Sequence, residues 1–245
     1  MTNISNAKIA ILATDGFEKS ELFEPRKQLA DAGADVTIVS LESGSIKSWD
    51  EKDWGESIDV DITVDNAKES DFDALVLPGG QMNPDILRVE DKVIDFVQAF
   101  FNAGKPIAAI CHAPWLLIEA DLVQGRNVTG YPSIKTDLIN AGAKFEDSEV
   151  VVDNGLITSR DPGDLDAFCA KIIEEVKEGI HKRTKKRPDG RVARRSGRLF
   201  PGRPVAANNG RFAFYPASAS TRLNNLNKRD RRFLASISYG KMPFL

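Results

Sequence analysis

The chain has 245 residues, of which 42% are hydrophobic, enough for a globular domain with a buried core. Its net charge of −3 conceals an uneven distribution, because residues 181–245 carry 17 Lys and Arg residues against two acidic ones. That segment therefore has a charge of +15, and residues 1–180 have a charge of −18. We predict a folded acidic domain over residues 1–180 and a basic tail over residues 181–245 that is disordered or adventitious.

Secretion and membrane insertion are not expected from this sequence. Residues 1–6 contain no basic group, and the apolar stretch that follows runs only from Ile9 to Ala13. No stretch approaches the roughly 18 apolar residues of a membrane span. The two cysteines, Cys111 and Cys169, are too few for a disulfide framework. We therefore expect a cytoplasmic protein with no membrane partner.

Apolar runs typical of buried strands alternate with helical periodicity along the chain. In chain order the pattern predicts a strand over Lys8–Thr14, a helix over Glu18–Asp31, a strand over Asp35–Leu41, a small strand excursion formed by Ser45–Trp49 and Val60–Val64 around an acidic loop, and a strand over Phe72–Leu77. It then predicts a helix over Glu90–Asn102, a strand over Lys105–Ile110, helices over Ala113–Ala120 and Ser133–Asn140, a hairpin of Glu149–Asp153 and Leu156–Ser159, and a last helix between Leu165 and Val176. Continuously apolar strands alternating with helices predict an α/β protein with a parallel sheet covered on both faces.

Cys111 lies where a predicted buried strand meets the start of a predicted helix. The turn between them must be sharp, so the side chain projects at the carboxyl edge of the sheet, where α/β folds bind ligands. Free N–H groups at a helix start favour a thiolate, so we predict a nucleophile elbow and a depressed thiol pKa. The alternative is a small core residue at a strand end. Cys169 lies on the apolar stripe of the last helix and is expected to be inert.

Two further segments follow strands at the same predicted edge. Glu18 could hydrogen-bond the sulfur or take its proton, or it could be only a first-turn acid favoured by the helix dipole. Gly79 and Gly80 could bring backbone N–H groups close to a ligand and form an oxyanion hole with the N–H of His112. The alternative for the two glycines is an ordinary turn.

The chain has two histidines, His112 and His181. His181 begins the basic tail, so a histidine that assists Cys111 would be its neighbour, His112. Successive residues across a sharp turn can face one cavity. The alternative is a histidine at a helix start with no partner.

Five segments, in this order, resemble the PfpI (ThiJ/PfpI) family. They are Asp15-Gly-Phe-Glu18, Phe72-Asp-Ala-Leu-Val-Leu-Pro-Gly-Gly80, Gly104-Lys-Pro-Ile-Ala-Ala-Ile-Cys-His112, Gly130-Tyr-Pro-Ser-Ile-Lys135 and Val150-Val-Val-Asp-Asn-Gly155. The match runs from about Lys8 to Val176, and the basic tail has no counterpart in it. The resemblance implies the fold of the class I glutamine-amidotransferase-like superfamily, a flavodoxin-like three-layer sandwich with a mostly parallel central sheet.

The resemblance also implies roles for individual residues. Cys111 matches the reactive cysteine of the family, His112 the histidine beside it, and Glu18 the glutamate after the first strand. In the peptidase-like members an acidic residue of a neighbouring subunit orients the histidine, and Asp85 matches it with a side chain one methylene shorter. Members form dimers or hexamers, so a homo-oligomer is expected.

We assign oxyanion or substrate binding to Gly79, Gly80 and Tyr131. No metal or organic cofactor is expected. Members of the family have been described as intracellular cysteine peptidases and as deglycases or glyoxalases acting on methylglyoxal and glyoxal adducts. The leading hypothesis is a cysteine-dependent hydrolase or lyase that acts on small carbonyls or glycated proteins in stress protection.

Three alternatives remain open. Peptide hydrolysis is the competing enzymatic activity. A non-catalytic redox sensor or holdase chaperone is a different class of function, in which Cys111 would be oxidised to sulfenic or sulfinic acid. Nucleic-acid binding is a third class, and it could arise only through the basic tail, whose positive charge is interspersed with aromatic residues.

Overall fold

The computed structural model describes residues 4–182. The predictions made for the basic tail, its disorder and its nucleic-acid binding, lie outside the described residues from position 183 onwards. Among the described residues, no helix is both long enough and apolar enough to cross a membrane.

Twelve strands and six helices make up this part of the chain. The strands are β1 (Lys8–Leu12), β2 (Phe17–Glu18), β3 (Asp35–Ser40), β4 (Gly44–Asp50), β5 (Asp53–Val60), β6 (Ile62–Thr63), β7 (Ala74–Leu77), β8 (Ile107–Ile110), β9 (Asn127–Val128), β10 (Lys144–Phe145), β11 (Val150–Asp153) and β12 (Leu156–Ser159). The helices are α1 (Lys19–Asp31), α2 (Met82–Leu87), α3 (Asp91–Ala103), α4 (Pro114–Glu119), α5 (Lys135–Asn140) and α6 (Leu165–Glu178).

A seven-stranded sheet in the order β11-β12-β8-β7-β1-β3-β6 forms the centre of the fold. All neighbouring strands in it run parallel except β11, which pairs antiparallel with β12 through the predicted hairpin. The strands β8, β7 and β1 are adjacent, with Leu75 paired to Ile107 and Ile9 paired to Ala74. Their carboxyl ends therefore meet at one edge of the sheet, as the sequence predicts.

Two apolar layers cover the faces of this sheet, so the predicted three-layer sandwich is confirmed. One layer contains Phe96 and Phe100 of α3, Leu116 of α4 and Leu138 of α5. The other contains side chains of α1 and α6, including Phe168. The sequences of the strands between these layers are continuously apolar because both faces of the sheet are buried.

The predicted acidic loop around Trp54 is wrong, because residues Asp53–Val60 form β5. This strand pairs antiparallel with β4, and Trp49 and Trp54 meet edge to face with ring centroids 5.6 Å apart. Most of its side chains are exposed, so the sequence carries no apolar alternation there. A small sheet β2-β4-β5 results, in which Glu18 of β2 pairs with Trp49.

The packed chain continues slightly past the predicted boundary at residue 180. The backbone N–H of His181 donates to the carbonyl of Gly104 at 2.7 Å, and the carbonyl of Lys182 accepts from Asn154 Nδ2 at 2.8 Å. His181 Nε2 also lies 3.2 Å from Glu175 Oε2 of α6. These contacts extend the ordered domain to Lys182 at least.

Candidate active site

Cys111 forms a sharp elbow between β8 and α4. Its φ angle is +62°, a left-handed conformation that is rare for a residue with a side chain and is typical of strained functional turns. Its backbone N–H donates to the carbonyl of Ser159 at 3.1 Å, and its carbonyl accepts from the N–H of Tyr131 at 2.8 Å. These two hydrogen bonds hold the backbone of the elbow in place. The thiol follows the last residue of β8 and lies beyond the end of that strand.

The helix after the elbow begins at Pro114 rather than at the predicted Ala113 and has six residues. A turn over residues 111–113 separates it from the strand. So short a helix contributes little dipole field, and the groups that set the thiol chemistry lie on neighbouring segments.

The carboxyl group beside the thiol belongs to Glu21, in the first turn of α1, and not to Glu18. Glu21 is fully buried, and its Oε2 accepts a hydrogen bond of 2.8 Å from the N–H of Gly79. Its Oε1 is buried with no hydrogen-bond partner among the described residues. Glu18 lines the same cleft but is half-buried, and its Oε1 is 3.2 Å from Ser20 Oγ. Glu18 belongs to β2 and precedes α1, whereas Glu21 lies on α1 at the side that contacts the turn after β7.

Gly79 and Gly80 form the turn after β7, and each must be a glycine. A Cβ on Gly79 would lie 2.6 Å from Cys111 Cβ, and one on Gly80 would lie 2.6 Å from the carbonyl oxygen of Gly16. The N–H of Gly79 is used by Glu21, so it is not available for the predicted oxyanion hole. The N–H groups of Gly80 and His112 lower the pKa of the Cys111 thiol, since they favour its ionised form.

Asn83 is a positioning residue that the sequence analysis missed. It is fully buried on α2, and its Nδ2 donates to the carbonyls of Pro78 at 2.8 Å and Gly79 at 3.1 Å. Its Oδ1 accepts from the N–H of Thr14 at 2.8 Å. One amide thus ties the end of β1 to the glycine turn. Helix α2 itself was not predicted, since Gly-Gly-Gln-Met-Asn-Pro is typical of a turn.

His112 faces the same cleft as the thiol, as predicted for neighbours across a sharp turn. Its Nδ1 lies 3.1 Å from Cys111 Sγ, and its Nε2 lies 3.0 Å from Ser133 Oγ. The ring of Tyr131 stacks on the imidazole with centroids 4.7 Å apart and an interplanar angle of 26°. Trp115 also contacts the imidazole, with ring centroids 5.2 Å apart and an interplanar angle of 60°. The imidazole is therefore fixed in both position and orientation.

The predicted depression of the Cys111 pKa is wrong. Burial raises the pKa of the thiol well above its usual range, and once Glu21 ionises its charge raises it further. The N–H groups of Gly80 and His112 act in the opposite direction and do not compensate. Burial also raises the pKa of Glu21 to about 8 and lowers the pKa of His112. These shifts favour a thiol, a protonated carboxyl group and a neutral imidazole at the site.

This arrangement can carry out nucleophilic chemistry with two proton carriers. The neutral imidazole of His112 can accept the thiol proton at Nδ1 as the sulfur attacks. The buried Glu21 carboxyl group beside the sulfur can donate a proton. The N–H groups of Gly80 and His112 can stabilise negative charge on the sulfur or on an oxygen bound beside it.

The thiol opens into a cleft of about 490 Å³. Its walls are formed by residues of six segments: Glu18, Glu21, Trp49, Gly80, Gln81, Cys111, His112, Tyr131, Ser133 and Pro162. Trp49 belongs to β4 and lies at the cleft because β4 pairs with β2, where Trp49 is opposite Glu18. The sequence pattern did not predict that β4 contributes to the site.

Asp85 lies outside this cleft. It is exposed on α2 and so cannot orient His112 of its own chain. Ile86 and Val89, beside it, are also exposed.

One group of side chains in the described part of the chain has the spacing of metal ligands. Glu175, Glu178 and His181 hold their ligand atoms within 4.8 Å of one another. They lie at the end of α6, at the amino edge of the sheet and far from Cys111. The contact of His181 Nε2 with Glu175 Oε2 accounts for the proximity of two of the three.

Comparison with known proteins agrees with this geometry. The model of the DJ-1/PfpI family matches residues 7–175. A Bacillus subtilis protein named putative cysteine protease YraA is 46% identical over 170 residues, which span 69% of this chain and 98% of the relative. Protein/nucleic acid deglycase 2 of Escherichia coli is 45% identical over 167 residues, 68% of this chain and 95% of the relative.

A solved structure shares the fold. It is a two-domain protein of Anabaena variabilis containing DJ-1/ThiJ/PfpI-like and ferritin-like domains, and it is 39% identical with a TM-score of 0.67. The match covers 70% of this chain and 48% of that one. The elbow cysteine, the histidine beside it and the glycine turn all lie within the matched residues, and the chain belongs to the DJ-1/PfpI family.

Proposed function

We propose that this PfpI-type cysteine hydrolase removes glyoxal and methylglyoxal adducts from amino groups, and so protects the cell against carbonyl stress. The observation that carries the proposal is the position of the Cys111 thiol, which lies 3.1 Å from His112 Nδ1 and beside the buried carboxyl group of Glu21. A nucleophile beside a proton donor and a proton acceptor can attack a carbonyl carbon and protonate the groups that form or leave. The 45% identity to a protein named protein/nucleic acid deglycase 2 supports the same activity.

The first step forms a bond between the Cys111 sulfur and the aldehyde carbon of a glyoxal adduct. The thiol proton passes to His112 Nδ1, and the carbonyl electron pair moves onto the oxygen. The N–H groups of Gly80 and His112 stabilise that oxyanion. His112 then returns the proton to the oxygen, which leaves a neutral thiohemiacetal.

The second step expels the amine. His112 takes the C–H proton of the thiohemiacetal carbon, the carbon–nitrogen bond breaks, and Glu21 protonates the departing amine. The resulting enediol becomes a thioester when His112 protonates the second carbon and Glu21 recovers a proton from the enediol hydroxyl. Water then cleaves the thioester, releasing glycolate and restoring the Cys111 thiol.

The cleft suits a small carbonyl group carried on a side chain or base. A volume of about 490 Å³ accepts such a group, and the rings of Trp49 and Tyr131 form its apolar walls. Peptide hydrolysis is the competing activity, because a relative 46% identical is named a putative cysteine protease. The same nucleophile would serve it, but an extended peptide would need a longer groove than this cleft.

We propose that the enzyme acts in the cytoplasm as a homo-oligomer. Both cysteines are free thiols, which suits a reducing compartment. Ile86 and Val89 expose apolar surface beside Asp85, which favours contact with a second copy there. Light scattering of the wild type and of Val89→Asp tests this, and a monomeric wild type would contradict it.

Turnover of a glyoxal-treated peptide tests the proposed function, with released glycolate and regenerated amine as the products measured. Cys111→Ala should abolish turnover, and Cys169→Ala, the matched control, should retain it. An unmodified peptide is assayed in parallel. If the wild type cleaves that peptide and leaves the adduct intact, peptide hydrolysis replaces deglycation as the function.

A further inference from the structure

His112 has a partner on the side away from the thiol that the sequence analysis did not assign. Its Nε2 lies 3.0 Å from Ser133 Oγ of the same chain. We propose that Ser133 is a positioning residue that holds His112 in the tautomer able to accept the Cys111 proton, and that it replaces the acidic residue expected from a neighbouring subunit. The inference rests on the proposed function, since it concerns the base of that reaction.

The tautomer follows from the two contacts of the ring. A neutral imidazole carries one N–H donor and one lone pair, each pointing in a single in-plane direction. When the Nε2–H donates to Ser133 Oγ, the lone pair is left on Nδ1, 3.1 Å from the sulfur. Nδ1 can then take the thiol proton, and Nε2 keeps its own throughout the transfer.

The backbone around Ser133 is tied to the elbow, so its hydroxyl has a fixed position. Ser133 lies in a single 3₁₀ turn, Pro132–Ile134. The N–H of Tyr131, just before the turn, donates to the carbonyl of Cys111 at 2.8 Å, and the N–H of Ile134 donates to the carbonyl of Tyr131 at 3.0 Å. Ile134 is fully buried and anchors the turn. The ring plane and the hydrogen-bond direction of His112 are thus set by one segment.

Ser133 lies where the carboxylate of Asp85 from a second copy is expected to contact His112. The single in-plane direction at Nε2 is occupied by Ser133, and a carboxylate of a second copy would have to displace it. A neutral acceptor also differs chemically from a carboxylate, because it stabilises the imidazolium less. His112 therefore remains a weak base that readily returns the proton it takes from Cys111.

The experiment compares Ser133→Ala, Ser133→Thr and Asp85→Asn in the full chain. Ser70→Ala is the matched control, since Ser70 is an exposed serine in another 3₁₀ turn, Glu69–Asp71, that precedes β7 at the opposite edge of the sheet. Three quantities are measured: the ¹⁵N chemical shifts of the two imidazole nitrogens of His112, the pH profile of Cys111 alkylation by iodoacetamide, and kcat and KM for the adduct. The chain has two histidines, so His181→Gln assigns the signals.

We expect Ser133→Ala to mix the two tautomers of His112, to move the acidic limb of the alkylation profile to lower pH, and to lower kcat about tenfold with little change in KM. Ser133→Thr keeps the hydroxyl group, so its tautomer, alkylation profile and kcat should be those of the wild type. Ser70→Ala should also match the wild type. The inference is overturned if Ser133→Ala leaves the tautomer and the alkylation profile unchanged, or if Asp85→Asn causes the shift instead. Because the ¹⁵N shifts and the alkylation need no turnover, a failure of the proposed substrate is distinguishable from a failure of this inference.

Discussion

The Oε2 atom of Glu21 accepts a hydrogen bond of 2.8 Å from the backbone N–H of Gly79, which fixes a fully buried carboxyl group beside Cys111. The contact joins α1 to the turn after β7. It satisfies one carboxyl oxygen, while Oε1 has no hydrogen-bond partner within residues 4–182. A carboxyl group in this setting keeps its proton more readily than one in water, and that proton lies next to the nucleophile.

Glu21→Gln should lower kcat/KM for the glyoxal adduct by at least about 100-fold, because the amide occupies the same space but cannot exchange a proton. Glu18→Gln should lower it by less than about tenfold, because Glu18 lines the cleft without holding the proton beside the sulfur. Steady-state rates of the two variants at pH 7 provide the measurement. A larger loss in Glu18→Gln would return the proton-carrying role to Glu18.

The same carboxyl group should make stability depend on pH. Its pKa rises from 4.5 to about 8 on folding, so between these values the folded state binds more protons than the unfolded state. The free energy of unfolding of the wild type therefore falls as pH rises through this range and levels off above pH 8. Glu21→Gln lacks this decline and should be more stable than the wild type at pH 9, by a few kcal/mol.

Urea denaturation at pH 5, 7 and 9 measures this difference. Glu18→Gln is the matched control at a half-buried position. If the Glu21→Gln and wild-type curves run parallel from pH 5 to pH 9, the carboxyl group of Glu21 is ionised in the folded protein across that range.

The sequence predicted the sheet and the edge where the site lies, because buried strands are continuous apolar runs with glycine-rich ends. It also placed Cys111 and His112 together, since they are neighbours across a turn. It did not identify Glu21 or Asn83, because their roles depend on which side of α1 and α2 faces the glycine turn. The thiol pKa was predicted in the wrong direction, since the degree of burial around a side chain is a tertiary property.

The two thiols should differ strongly in reactivity despite both having raised pKa values. Cys169 is fully buried on α6, and burial raises its pKa to about 12. Cys111 opens into the cleft, and His112 can accept its proton during attack. Limiting iodoacetamide at pH 7 should therefore label Cys111 first, at a rate that increases as pH rises. Equal labelling of the two peptides in mass spectrometry would contradict the assignment of Cys111 as the nucleophile.

A chain that ends after Lys182 should keep the stability and turnover of the full chain, since the last described contacts of the domain are made by His181 and Lys182. A chain that ends after Gly179 loses the hydrogen bond from His181 to Gly104 and the contact of the His181 side chain with Glu175. We expect it to be about 1–3 kcal/mol less stable, because both interactions lie in a largely buried place.

Urea denaturation and turnover per site compare the three lengths, and His181→Gln in the full chain separates the side-chain contribution from that of the backbone. If the chain ending at Lys182 unfolds or loses turnover, residues beyond 182 belong to the enzyme rather than to a dispensable tail.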